Sequence, residues 1–198
     1  MNDHEFSSVP ETAKLIPYGL LDIQRQRGFV NCTISHDTAE FVYNTIRAWW
    51  EQEGERAYPS ARRLLFLTDS GGSDSYRSRM FKKYMQDLAD ETGLEIHICH
   101  YPRGTSKWNP IEHRLFGVIS KNIQGKPLVS VEYATKLIGT TTTKTGLTVS
   151  CQYDEKTYEL GQKISDKDFV AIPIRRKRSV RKLNYWFAPK TPRKAKKI

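Results

Sequence analysis

Two carboxylates stand out by where they fall. Asp69 closes the run RRLLFLTD and is followed at once by Ser70-Gly71-Gly72-Ser73, while Glu112 follows Asn109-Pro110-Ile111 in SKWNPIEHRLF. In open α/β sheets, ligands gather outside the carboxyl ends of strands. Glycines there permit a sharp turn and close approach by a substrate backbone. A strand-end Asp and a helix-borne Glu, one strand apart, supply the hard oxygen ligands that Mg²⁺ takes. Two such ions can clamp the attacking and leaving oxygens of a phosphodiester. Each acid also has an ordinary reading. DSGG is good turn chemistry, and Asn109 as cap, Pro110 at the first helical position and Glu112 at the third form the start of a capping box. Position alone leaves both readings open.

The other reactive side chains are less organised. His97 and His100 are three apart on an expected strand and so point to opposite faces, a poor chelate. His113 lies about 100° round the helix from Glu112, where it either reaches a phosphate or covers the surface. Cys99 has no basic partner beside it in sequence and reads as core. Trp108, the one aromatic in a polar loop, either stacks on nucleic acid or pins the loop. TTTTKTGL at 140–147 lacks the glycine spacing of a phosphate-binding loop.

The elements that would hold these groups follow from periodicity. IPYGLLDIQRQRGFVNCTIS places two apolar stretches around polar Gln24–Gly28 and reads as a hairpin. HDTAEFVYNTIRAWWEQEG reads as a helix capped by Asp37 with Glu40 three residues on. Its stripe is Val42, Ile46, Trp49 and Trp50, and Gly54 is its expected stop. RRLLFLTD is a continuous apolar run, as in a central strand buried on both faces. A helix over Arg77–Thr92 with Phe81, Tyr84, Met85 and Leu88 on one side ends at Gly93. LEIHICHYP alternates as a strand, and the Glu112 helix turns Ile111, Leu115, Val118 and Ile119 to the core. One more helix is expected near Ser130–Thr140, then a small strand-and-helix region. The order predicts an α/β or α+β layered domain with a mixed sheet.

Composition narrows the class. With 38% hydrophobic residues in 198, a substantial core is available, and no apolar run reaches the ~20 residues of a membrane span. The N-terminus lacks a secretory pattern. Cys32, Cys99 and Cys151 are odd in number and without CxxC spacing, which argues for a reducing cytoplasm and against zinc. Charge is concentrated: 11 of the 32 Lys and Arg lie in 175–198 with no acid among them, leaving 21 basic against 22 acidic residues elsewhere. Such a segment is either a solvated end or a footprint for a polyanion, with Tyr185, Trp186 and Phe187 available to stack on bases. The candidate nucleic-acid contacts are Lys107, Trp108, His113, Arg114, Arg175, Arg176, Lys177, Arg178, Arg181 and Lys182.

The stretch LLFLTDSGGSDSYRSRMFKKYMQDLADETGLEIHICHYPRGTSKWNPIEHRLF closely resembles the DDE transposases of bacterial insertion sequences, nearest the Rhodopirellula-type DDE domain. IPYGLLDI, HDTAEFVYNTIRAWW, GKPLVSVE and TTTKTGLTV extend the likeness from about Asp3 past Val149. The resemblance implies a ribonuclease-H-like fold in which three acids bind two Mg²⁺ (or Mn²⁺) ions for cleavage and strand transfer at transposon ends. Asp69 matches the second acid and Glu112 the third. The family's first aspartate, on its opening strand, has no match. Asp3, Asp22 and Asp37 fall at non-catalytic positions.

These matches divide the chain into a partial catalytic domain at 1–150 with its first strand missing, a small extension at 151–174 and a basic tail at 175–198. The implied protein is a transposase fragment, inactive without the upstream segment. Its expected partners are DNA ends and target, with homo-oligomerisation in a transposition complex, in a bacterial cytoplasm and away from membranes. A non-catalytic DNA-binding remnant and a cellular nuclease of the same fold are the competing readings.

Overall fold

The computed structural model describes residues 14–193. Its strands and helices run β1 (Ile16–Asp22), β2 (Arg27–Thr33), α1 (Ala39–Trp49), α2 (Glu55–Ala57), β3 (Arg63–Thr68), α3 (Arg79–Thr92), β4 (Glu95–His100), α4 (Gly117–Ile123), α5 (Val131–Gly139), β5 (Thr148–Tyr153), α6 (Asp166–Val170), β6 (Arg175–Arg176) and β7 (Asn184–Phe187). The fold is mixed α/β, as the element order predicts. The strands form two mixed sheets rather than one. They belong to two compact units, one comprising the chain up to Ser35 with Leu115–Lys156, the other His36–Arg114 with the chain from Thr157.

The first unit is built on the expected hairpin. β1 pairs antiparallel with β2 from Ile16↔Thr33 to Asp22↔Arg27. Asp22, one of the spare acids, closes its turn: Oδ1 accepts from the backbone N–H of Gln24 and of Arg25, each at 3.1 Å. β5 adds to β2 in parallel, Arg27↔Thr148, and brings the Cys151 and Cys32 sulfurs to 3.7 Å. These two cysteines, far apart in sequence, are thus brought together, and both thiols are free. α5 starts at the Ser130 hydroxyl, which accepts from Tyr133 N–H, and buries Val131, Ala134, Leu137 and Ile138.

The second unit carries both candidate acids. Its sheet has the order β3-β4-β7-β6, with β3 parallel to β4 and the remaining pairs antiparallel. α3 covers one face, on which Ile96, Ile98, Tyr185 and Phe187 are at most 2% exposed. Ser78 caps α3 through Phe81 N–H, and Gly93 ends it. α1 packs on α3, and Tyr43 stacks on Tyr84 with centroids 5.2 Å apart.

Four expectations are corrected here. The cap of α1 is Thr38, whose hydroxyl accepts from Phe41 N–H at 3.2 Å, not Asp37. Gly54 does not stop that helix, which continues through a π-helical turn, Trp50–Gly54, into α2. Glycine is required there by a close approach: a Cβ on Gly54 would lie 2.6 Å from the Trp50 ring. β3 is not a central strand buried on both faces but the edge strand, because only β4 pairs with it among the described residues. Its Leu65 and Leu67 are 63% and 45% exposed. Finally, residues 175–193 are not a solvated end. β7 lies between β4 and β6, and Tyr185 and Phe187 are core rather than free to stack. Asp3, among the spare acids, lies outside the described residues.

Candidate active site

Asp69 is the first residue past β3, and the next strand holds it in place. Tyr101 N–H, just past β4, donates to the Thr68 carbonyl at 2.8 Å. The Ser70 hydroxyl donates to the Tyr101 carbonyl, and the Thr68 hydroxyl to Asp74. Ser75 reaches back to the Ser70 carbonyl at 2.9 Å. Gly72 takes φ +76° in the turn, a left-handed conformation that glycine adopts without strain. The two loops are thereby tied together, and the backbone at Asp69 is fixed on both sides.

The loop after β4 runs through a single 3₁₀ turn, Ser106–Trp108, to Asn109. Asn109 is 6% exposed and is hydrogen-bonded through its side chain and its carbonyl. Its amide Nδ2 donates to Asp69 Oδ1 at 3.2 Å, its Oδ1 accepts from Ile111 N–H at 3.3 Å, and its carbonyl accepts from Glu112 N–H at 3.2 Å. One buried side chain therefore caps the helix start that bears Glu112 and holds the Asp69 carboxylate.

The capping-box reading of Glu112 asks its carboxylate to accept from Asn109 N–H. That N–H instead donates to the Ser106 carbonyl at 2.8 Å. Glu112 is exposed, and its carboxylate has no partner among the described residues. The helix start is satisfied without it.

A family model described as the Rhodopirellula transposase DDE domain matches residues 1–189. The chain belongs to this family. No curated protein and no solved structure matches it. A transposase role follows in general terms, with DNA as partner, and DDE transposases as a group depend on divalent metal. Asp69 and Glu112 offer the oxygen chemistry that such an ion takes. Among the described residues no group of three or more His, Cys, Asp or Glu converges as a metal site. None of the described helices is long and apolar enough to cross a membrane.

The remaining candidates of this transposase domain fall in two places. Trp108 is 66% exposed, which removes the loop-pinning reading, and the Lys107 ammonium lies 5.5 Å from its ring centroid. His113 folds back to the Lys107 carbonyl at 2.9 Å. Arg114 is half-buried on the same helical segment. Arg175 and Arg176 form β6, and Lys177, Arg178, Arg181 and Lys182 are exposed between β6 and β7.

A buried relay beneath Asp69 is not legible from sequence. The Tyr185 hydroxyl donates to His100 Nε2 at 2.7 Å, and His100 Nδ1–H donates to the Asp69 carbonyl at 2.8 Å. Burial pushes the Tyr185 phenol up, so it keeps its proton. Burial pushes the His100 imidazole below its ordinary 6.5; the Asp69 carbonyl opposes this and nearby Lys82 adds to it. Lys82 is itself held down to about 8 by burial, then by Arg176 and Arg79. A neutral His100 with one acceptor and one donor nitrogen is what the relay needs.

The pH consequence has a definite sign. The folded state binds the His100 proton less tightly than the unfolded chain does. Its contribution to stability is full above 6.5 and is lost as pH falls through the lowered folded value. Urea unfolding of the wild type is expected to show a midpoint that falls as pH drops below about 6.5, and His100→Gln to flatten that dependence. Equal slopes for both proteins would remove His100 as the cause.

Proposed function

We propose that Asp69 and Glu112 are two of the three acidic ligands of a transposase catalytic centre, and that this chain takes part in DNA cleavage and strand transfer at insertion-sequence ends. The observation that carries this reading is the Asn109 link, with its amide on the Asp69 carboxylate and its carbonyl on the Glu112 N–H. It ties the two acids to one buried residue, Asp69 through its side chain and Glu112 through its backbone, and leaves the Glu112 carboxylate without a partner among the described residues. When bound, Mg²⁺ or Mn²⁺ supplies charge neutralisation and Lewis acidity at the scissile phosphate. The protein's own part is to fix the carboxylates: His100 anchors the Asp69 backbone and Asn109 orients its side chain. Lys107, Trp108 and Arg114, beside Glu112 in sequence, are proposed to contact the DNA.

The domain is proposed to be ribonuclease-H-like, with the family's first acid delivered by a segment outside the described residues. Two features support this. β3 has one unpaired edge among the described residues, although its apolar sequence suits a strand paired on both sides. Of the acids considered for the role, Asp22 already closes a hairpin turn, and Asp37 precedes the cap of α1. A strand added along β3 would bring an aspartate to the strand end that carries Asp69.

The test is nicking of a labelled transposon-end duplex in Mg²⁺ and Mn²⁺. The 198-residue chain is expected to cut little or not at all by itself. Fusion to the upstream segment is expected to restore cutting. Strong cutting by the chain alone would place the family's first acid within it, with Asp22 the residue to substitute before any other. Duplex binding with no cutting even after fusion would identify a DNA-binding remnant.

A further inference from the structure

The β3-β4-β7-β6 sheet has two unlike faces. α3 covers one. Cross-strand register defines the other: Arg63, Leu65 and Leu67 of β3 stand opposite Glu95, His97 and Cys99 of β4; Trp186 of β7 stands opposite His97, and Arg175 of β6 opposite Trp186. Leu65 and Leu67 are exposed, and His97, Cys99 and Trp186 are half-buried. At the centre, the Trp186 and His97 rings stack with planes 4° apart and centroids at 5.5 Å.

The charge around this stack is one-sided. Glu95, the one acid in these register positions, is taken up by Arg63 at 2.8 Å and by His97 at 3.2 Å. Arg175 and Lys177 are exposed and form no ion pair among the described residues. Lys177 comes near enough to Cys99 to oppose the burial that pushes the thiol up. An apolar and aromatic platform flanked by unpaired cations is the composition of surfaces that hold single-stranded nucleic acid, bases on the rings and phosphates on the cations. A second copy of the chain suits this face poorly. A two-fold contact presents the same patch on both subunits, so the unpaired cations of one would meet those of the other.

We propose that this uncovered sheet face holds unpaired DNA, with Trp186 as its stacking residue and Arg175 and Lys177 as phosphate contacts. The proposal rests on the reading of DNA as partner. It assigns a surface defined by strand register rather than by the Asp69 and Glu112 carboxylates, and one that acts without metal.

The experiment measures anisotropy of labelled oligo(dT), and of a duplex of equal length, with the full chain in EDTA. Trp186→Ala is expected to weaken oligo(dT) binding about tenfold or more, and Trp186→Phe to keep most of it. Duplex affinity should change little for either. Arg175→Ala with Lys177→Ala should lower the salt slope for single strands by roughly 0.7 for each phosphate left without its cation. Melting curves by circular dichroism establish that each variant is folded. If folded Trp186→Ala binds oligo(dT) like the wild type while the duplex still binds, the stacking surface is wrong and the DNA reading stands. If the wild type binds neither, both fall. A dimer in sedimentation that Leu65→Glu dissociates, with oligo(dT) affinity unchanged, would make the face an interface between copies and overturn the proposal.

Discussion

Ending the chain after Ile174 is expected to unfold the unit that carries Asp69, not merely to weaken DNA binding. The deletion removes β6 and β7, and with β7 the antiparallel pairing Ile96↔Phe187 to Cys99↔Asn184 that closes the second side of β4. Tyr185 and Phe187 leave the core, where they are 2% and 0% exposed. Truncating one buried Phe to Ala costs about 3–5 kcal/mol, comparable to a large share of the roughly 5–15 kcal/mol that holds a domain folded. The buried His100 Nε2 is deprived of its hydroxyl partner as well. Loss of the cooperative thermal transition in the truncated chain is the expected result. A native-like transition would mean that the segment is a dispensable appendage. Neutralising Arg178, Arg181 and Lys182 should by contrast leave folding intact, since all three are exposed.

The second large effect concerns the acids themselves. In a preparation competent to nick, Asp69→Asn or Glu112→Gln is expected to reduce cutting by roughly 10³-fold or more, about 4 kcal/mol of barrier. Glu112→Gln should barely affect stability, within about 0.5 kcal/mol, because the carboxylate is exposed and unpartnered among the described residues. Asp69→Asn keeps an oxygen for the Asn109 amide and should also remain folded. Asn109→Ala separates position from chemistry. It removes no acid, yet it releases the Asp69 carboxylate and uncaps the helix start. A loss of about 10–100-fold in metal affinity, with about 1 kcal/mol of stability, is the expected pattern. If Glu112→Gln destabilises the fold and leaves cutting unchanged, the acid serves the helix rather than the reaction.

Much of this is legible in the residues, and the misses share a cause. The hairpin at 16–33, the helix ending at Gly93, the strand Glu95–His100 and the helix begun at Ser130 follow from local periodicity and capping chemistry. Asn109 and Pro110 are readable as a helix start. That Glu112 is left free is not, because it depends on whether the Ser106 carbonyl takes the Asn109 N–H. The edge position of β3 and the burial of β7 depend on pairing between segments far apart in sequence. LLFLT reads alike at an edge or a centre, and a run rich in Arg and Lys hides a four-residue strand whose alternate side chains are core. The spacing of His100 from His97 speaks only against a metal chelate, yet His100 anchors Asp69. Its partner, Tyr185, lies 85 residues away, and no local pattern announces such a pairing.

The central claim, that Asp69 and Glu112 share a divalent ion, is tested most directly by calorimetric titration of the 198-residue chain with Mn²⁺, which needs no DNA. The wild type is expected to take up the ion weakly, as suits two carboxylates acting without further acidic ligands. Asp69→Asn and Glu112→Gln should each lower that affinity at least about tenfold, and the double substitution should cost little more than either alone, because two ligands of one ion act as a unit. Mn²⁺ affinity unchanged by both single substitutions, or losses that simply add, would contradict it.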